Sequence, residues 1–173
     1  MAARRAAARS AVVGLALLAA CARSPVVGPP STVPVAPPAA GAGSLAPALS
    51  DRVAALALEF VGTPYRAGGT DPSGFDCSGL VQYVFARHGL RLPRSVVDQS
   101  QTGTSVPRRS IVAGDLLFFA TSGQGPSHVG IAIDSETFVH APSGKGNVRV
   151  ERLDAPYWGQ RFLGARRIRP PAA

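Results

Sequence analysis

Two cysteines and three histidines make up the whole stock of thiol and imidazole in this 173-residue sequence. Cys77 lies in Gly74-Phe75-Asp76-Cys77-Ser78-Gly79-Leu80-Val81, where Asp76 is a good N-cap and Leu80, Val81, Val84 and Phe85 share one helical face. That pattern runs to Gly89, a natural αL terminator. A cysteine in a first helical turn faces unpaired backbone N–H groups and the positive end of the helix dipole. Its expected pKa is therefore below the ordinary value of about 8.5, as suits a nucleophile. The plainer alternative is a buried structural cysteine. His88, beside Gly89, is read as meeting the helix C-terminus and solvent, with no chemical role.

The other two histidines fall where strands are expected. In His128-Val129-Gly130-Ile131-Ala132-Ile133 the branched residues alternate with His, Gly and Ala, so His128 lies on the face that carries small residues. A turn centred on Asp134 is equidistant from His128 and His140 and would pair them directly, side by side, with room on that face for a helix end to approach. A thiol meeting two imidazoles suggests nucleophile, base and orienter. His128 would take the Cys77 proton or hold it as an ion pair, and His140 would fix the His128 tautomer. The Cys77 backbone N–H, with the Tyr65 hydroxyl, would stabilise an oxyanion, giving acyl transfer to water through a thioester. The same three residues admit a rival, a Cys-His-His zinc triad with an open position.

The elements that must position these groups occupy residues 50 to about 169, one domain able to bury a core without disulfides. Ser50 is the expected cap of a first helix carrying Val53, Leu56, Ala57 and Phe60, ended by Gly62. The Gly- and Pro-rich stretch 62–76 reads as irregular, with Tyr65 its one large side chain near the middle. Ser95, with Asp98 three residues on, opens a short helix ending near Gly103. Short apolar or alternating runs at 115–120, 128–133, 137–141, 148–153 and 162–168 read as strands. Helices followed by strands predict an α+β fold with a central antiparallel sheet of about five to six strands.

Before this domain, residues 1–20 read as an export signal, with Arg4, Arg5 and Arg9 ahead of the apolar run 11–20. The Arg4-Arg5 pair hints only faintly at twin-arginine export. Leu18-Ala19-Ala20-Cys21 resembles the bacterial lipobox, which makes Cys21 the expected lipidation site and, with Ala22, an outer-membrane anchor facing the periplasm the expected location. The alternative is an ordinary small-residue cleavage site. Residues 21–49 form an expected Pro/Ala/Gly-rich tether, spanning at most about 85 Å. With Cys21 acylated, Cys77 has no partner, and a lone thiol in an oxidising compartment suggests use. Losing residues 1–20 removes three arginines and lowers the formal charge from +8 to +5. The basic residues are scattered rather than striped, which with export argues against nucleic acid.

From about Val61 to Arg167 several ordered motifs agree. They are Gly62-Thr63-Pro64-Tyr65-Arg66-Ala67-Gly68-Gly69, Phe75 to Val81, Leu92-Pro93-Arg94-Ser95 with Gln99, Gly114 to Phe119, Ser127 to Ile131, and Phe138 to Pro142. Together they resemble the NlpC-type cell-wall cysteine peptidases, a circularly rearranged papain-like family. The resemblance implies a papain-like domain over 50–169 followed by a short tail at 170–173. It makes Cys77 the nucleophile, His128 the general base and His140 the third polar residue, with Tyr65 near the oxyanion site. Asp76 and Ser78 would flank the nucleophile and shape substrate contacts, and Gly114-Asp115 would be structural. Arg66-Ala67 departs from the aromatic often found before the two glycines, on one cleft wall. The implied substrates are peptidoglycan stem peptides, cut at γ-D-glutamyl–diaminopimelate or D-alanyl cross-link bonds by a monomer with no cofactor or metal. A basic surface suits such carboxylate-rich material. An activator or adaptor protein, a non-hydrolytic wall-binding lipoprotein and a papain-like acyltransferase stay open.

Overall fold

The computed structural model describes residues 48–143 and 146–170. The expected signal segment, the lipidation site Cys21, nearly all of the tether and most of the short tail lie outside the described residues. No described helix is long and apolar enough to cross a membrane.

The helices come first. Helix α1 (Leu49–Leu58) buries Val53, Ala54 and Ala57. Helix α2 (Cys77–Ala86) starts at Asp76, whose side chain accepts the Gly79 N–H at 2.7 Å, and buries Leu80, Val81, Val84 and Phe85 as their spacing predicts. Gly89, at φ +78°, turns the chain in the left-handed region that glycine enters without strain. Helix α3 (Val96–Gln101) opens on Ser95, whose hydroxyl accepts the Asp98 N–H and donates to the Asp98 carboxylate.

Between α1 and α2 lies a two-stranded hairpin, β1 (Thr70–Asp71) with β2 (Gly74–Phe75), where an irregular segment was expected. The remaining strands are β3 (Thr104–Val106), β4 (Leu116–Phe119), β5 (His128–Ala132), β6 (Thr137–His140), β7 (Arg149–Arg152) and β8 (Phe162–Arg167). They form one antiparallel sheet in the order β3-β8-β4-β5-β6-β7. The α+β expectation holds, and the sheet has six strands. One face packs Val129, Ile131 and Val139 on Val53, Ala57, Leu80 and Val81 from the helices. The other packs Leu117, Phe119 and Phe138 under Trp158 from the short helix α4 (Pro156–Gly159).

Three expectations are corrected. Ser50 does not cap α1; it lies within the helix, and the cap position is Ala48, with no side-chain bond. The β5–β6 hairpin pairs Ile131 with Val139 and Ala132 with Phe138, so its centre is Ser135 and not Asp134. The Asp134 carboxylate causes this by accepting the Glu136 and Thr137 N–H groups, each at 2.7 Å, which folds the chain into an Asx-type turn. His140 thus lies diagonal to His128 rather than opposite it, yet a shift by two residues keeps the face because side chains alternate with period two. Finally, that face is the one under Trp158, whereas α2 packs on the opposite face.

Asp115, 1% exposed, has the structural role expected of its motif. Its two oxygens accept from Nε and one terminal nitrogen of Arg167 at 2.7 Å each, tying the start of β4 to the end of β8. The first turn of α2 is fixed differently, by backbone against backbone. A Cβ at residue 79 would collide with the Gly69 carbonyl oxygen, and that same carbonyl accepts the Asp76 N–H at 3.0 Å. Gly→Ala inside a helix ordinarily adds about 1 kcal/mol of stability. Gly79→Ala is expected instead to cost about 3 kcal/mol, because rigid backbone must move, and urea unfolding of the two proteins measures the difference.

Candidate active site

Cys77 begins α2, and its half-buried side chain packs beside the first core layer. The sulfur receives the Val129 backbone N–H as well as those of Cys77 and Ser78, which places it at the start of β5, one residue from His128. His128 is 1% exposed and His140 fully buried. Nε2 of His128 lies 2.8 Å from Nδ1 of His140, which leaves Nδ1 of His128 as the ring nitrogen outside this contact. When that Nδ1 accepts a proton, Nε2 carries its own hydrogen toward His140, as an orienting partner requires. His140 Nε2 has no partner among the described residues.

Trp158 closes this pair from one side, stacked on His128 with ring centres 5.4 Å apart and edge-on to His140 at 4.8 Å. It carries the shielding that makes a buried imidazole pair possible, and nothing in its sequence context marks it beyond its being the one tryptophan of the chain. Gly130 sits between the two histidines along the sheet, where a Cβ would strike the Phe138 ring.

The other side of Cys77 is polar. Arg94 grips both Asp76 oxygens and donates to Ser78 Oγ at 2.6 Å. Asp76 also accepts the Gly68 and Gly79 N–H groups. Burial works to raise the Asp76 pKa, but Arg94 and these N–H groups outweigh it and hold the carboxyl below its usual range. Asp76 and Ser78 therefore form a built wall with Arg94, a residue whose motif was legible and whose role was not. Gln99, fully buried, donates to the Ser78 and Pro93 carbonyls and locks α3 to the same turn. Tyr65 is bridged to Phe75, and its N–H donates to the Gly146 carbonyl at 2.8 Å. Desolvation, then the neighbouring charges of Cys77 and Asp76, raise its phenol, so it stays a donor near the sulfur. Arg66, the departure in the motif, pairs outward with Asp71 at 2.6 Å.

The charge states correct one expectation. Burial pushes the Cys77 thiol up and the Asp76 carboxylate adds to it, so the backbone N–H groups that favour thiolate do not prevail. Burial likewise holds His128 down to about 4. His140 falls to about 3, again by burial and then by the neighbouring His128 and Arg149 charges. Burial thus acts on the thiol and on both imidazoles in the same sense, toward their neutral forms. A zinc triad would need Cys77, His128 and His140 to converge on one point. His128 instead turns Nε2 to His140, and no group of three potential ligands among the described residues is placed to hold a metal ion.

A helix-borne thiol beside an oriented, shielded imidazole in an α+β fold is the candidate site of a thiol hydrolase. The model of the NlpC/P60 family matches residues 62–167, and the chain belongs to that family. It is 47% identical over 113 residues to a probable endopeptidase of Haemophilus influenzae, a match covering 64% of this chain and 69% of that protein. It is 42% identical over 111 residues to the murein DD-endopeptidase MepS/murein LD-carboxypeptidase of Escherichia coli K12, covering 64% of this chain and 58% of that one. A crystal structure of an NlpC/P60 family protein from Bacillus cereus superposes with TM-score 0.65 and 35% identity, over 70% of this chain and 40% of that one.

The buried imidazoles make stability depend on acid. Below pH 6.5 the unfolded chain protonates both histidines while the folded one resists until about 4 and about 3. Stability contributed by the neutral pair is full above pH 6.5 and falls steadily as pH drops through that window. Denaturation curves between pH 7 and 4 are expected to show this decline, and His140→Asn, which removes one of the two titrations, should flatten it.

Proposed function

We propose that this chain is a cell-wall cysteine endopeptidase that hydrolyses an amide bond in peptidoglycan stem peptides. The observation that carries the reading is the Cys77 sulfur at the first residues of β5, beside a His128 whose other nitrogen is held by His140. Relatives named as a murein DD-endopeptidase and a probable peptidoglycan endopeptidase support the substrate class.

In this reading His128 Nδ1 takes the thiol proton as the sulfur attacks the amide carbonyl carbon. The oxyanion is met by the Cys77 backbone N–H at the head of α2 and by the Tyr65 hydroxyl. The C–N bond breaks, His128 returns its proton to the departing amine, and the acyl group stays on sulfur as a thioester. Water then attacks the thioester with His128 as base, releasing the carboxylic acid and restoring the thiol. His140 accepts the Nε2 hydrogen throughout and prevents the ring from turning. Arg94, Asp76 and Ser78 border the acyl half of the substrate.

The lipid anchor at Cys21, the tether and an outer-membrane address complete the proposal, resting on the N-terminal motif alone. They would keep a basic domain within reach of the wall.

Digestion of defined muropeptides by the full chain, with products identified by mass spectrometry, tests the reading. The wild type should release new amine and carboxyl ends, and Cys77→Ala should release none. His128→Ala should lose at least about a thousandfold, since it removes both the base and the acid. His140→Ala should lose about tenfold to a hundredfold and be partly rescued in His140→Asn, which retains an acceptor. No cleavage of either cross-linked or monomeric stem peptides would overturn the hydrolase proposal.

A further inference from the structure

Beyond the imidazole pair the same sheet face continues into a cavity of about 300 Å³, which the reaction above leaves unused. His128 stands at it, and Pro142, Ser143, Arg149, Glu151 and Trp158 are among its walls. The sheet register explains the charged pair. Strand β7 sets Arg149 opposite His140 and Glu151 opposite Phe138, so both side chains rise from the face that bears the two histidines. Arg149 donates from Nε to Glu151 Oε1 at 2.7 Å. That bond uses one edge of the guanidinium, and the terminal nitrogens have no partner among the described residues. Arg149 is 51% exposed at its side chain and Glu151 30%, so the pair is reachable from solvent.

The chemistry assigns a direction to this cavity. When Cys77 attacks an amide, the acyl half stays on sulfur near α2 and Tyr65. The amine half must leave toward the group that protonates it, which is His128. A cavity that His128 lines and Cys77 does not therefore receives the amine half. We propose that it is the leaving-group subsite, where Arg149, held by Glu151, binds a free carboxylate on the carbon that bears the departing nitrogen.

This rests on the peptidase reading and sharpens it to a choice of bond. In the D-alanyl–diaminopimelate cross-link, the carbon beside the departing nitrogen carries a free carboxylate. In the γ-D-glutamyl–diaminopimelate bond, the corresponding carboxyl is blocked whenever D-alanine follows. A guanidinium at this place favours the cross-link.

Two measurements on the full chain test the subsite. The first compares kcat/KM for two soluble cross-linked muropeptide dimers that differ only in whether that carboxyl is free or amidated. The wild type should prefer the free acid by about tenfold to a hundredfold, the range of a charge-assisted hydrogen-bonded pair. Arg149→Gln should bring the ratio to within about twofold of unity, with Arg149→Lys between. The second reads binding without turnover. Trp158, the one tryptophan of the chain, borders the cavity, so its fluorescence in Cys77→Ala should respond saturably to free diaminopimelate. Adding Arg149→Gln should weaken that response at least tenfold. Cleavage of both dimers with a ratio that Arg149→Gln does not move overturns the subsite and leaves the peptidase standing. Binding that depends on Arg149, with neither dimer cleaved, overturns the peptidase and leaves the subsite. Neither cleavage nor binding overturns both.

Discussion

The first turn of α2 can sit where it does only because two stretches of backbone touch without side chains between them. Gly79 lies against the Gly69 carbonyl, and that carbonyl also accepts the Asp76 N–H. Everything reactive is referred to this contact. It fixes the helix start and therefore Cys77, while Asp76, as N-cap, is held in position for Arg94. A Cβ at residue 79 would strike the Gly69 carbonyl and lift the sulfur away from β5, and one at residue 69 would strike the Gly74 carbonyl, so glycine at both is a requirement of geometry and not of flexibility.

Burial then decides the electrostatics. Three backbone N–H groups point at the Cys77 sulfur, which by themselves favour a thiolate. Desolvation and the Asp76 carboxylate act against them, and the same desolvation keeps both histidines neutral. Charge is therefore costly on the sulfur and on either imidazole. Trp158 maintains that condition by excluding water from the imidazole pair, which links a four-residue helix near the C-terminal end of the domain to the behaviour of a thiol far away in sequence.

The sheet supplies the line along which the site extends. From β5 through β6 to β7, one face presents His128, then His140, then Arg149 and Glu151, in neighbouring strands. The helical layer is packed on the opposite face, and on this face the two histidines lie beside Phe119 and Phe138 under the cover of Trp158. The polar wall of Arg94, Asp76 and Ser78 stands on the helical side of the sulfur. The two halves of a bound amide would thus meet different surroundings.

Local pattern by itself determined the helix at Cys77, its Asp76 cap, the Ser95 cap, the five longer strands, and the shared face of His128 and His140. Each of these depends on periodicity or capping, which act within a few residues. The ordered motifs likewise made the family legible. The hairpin register escaped because the Asp134 side chain captures two backbone N–H groups, and a turn centre is set by such bonds rather than by alternation. Short elements such as the β1–β2 hairpin and α4 are too brief to show a period. The raised thiol, the grip of Arg94 on Asp76, the cover of Trp158 and the placement of Arg149 beside His140 were decided only by tertiary structure. Each arises from groups distant in the chain meeting in space, where desolvation and partnership, not residue type, fix what a side chain does.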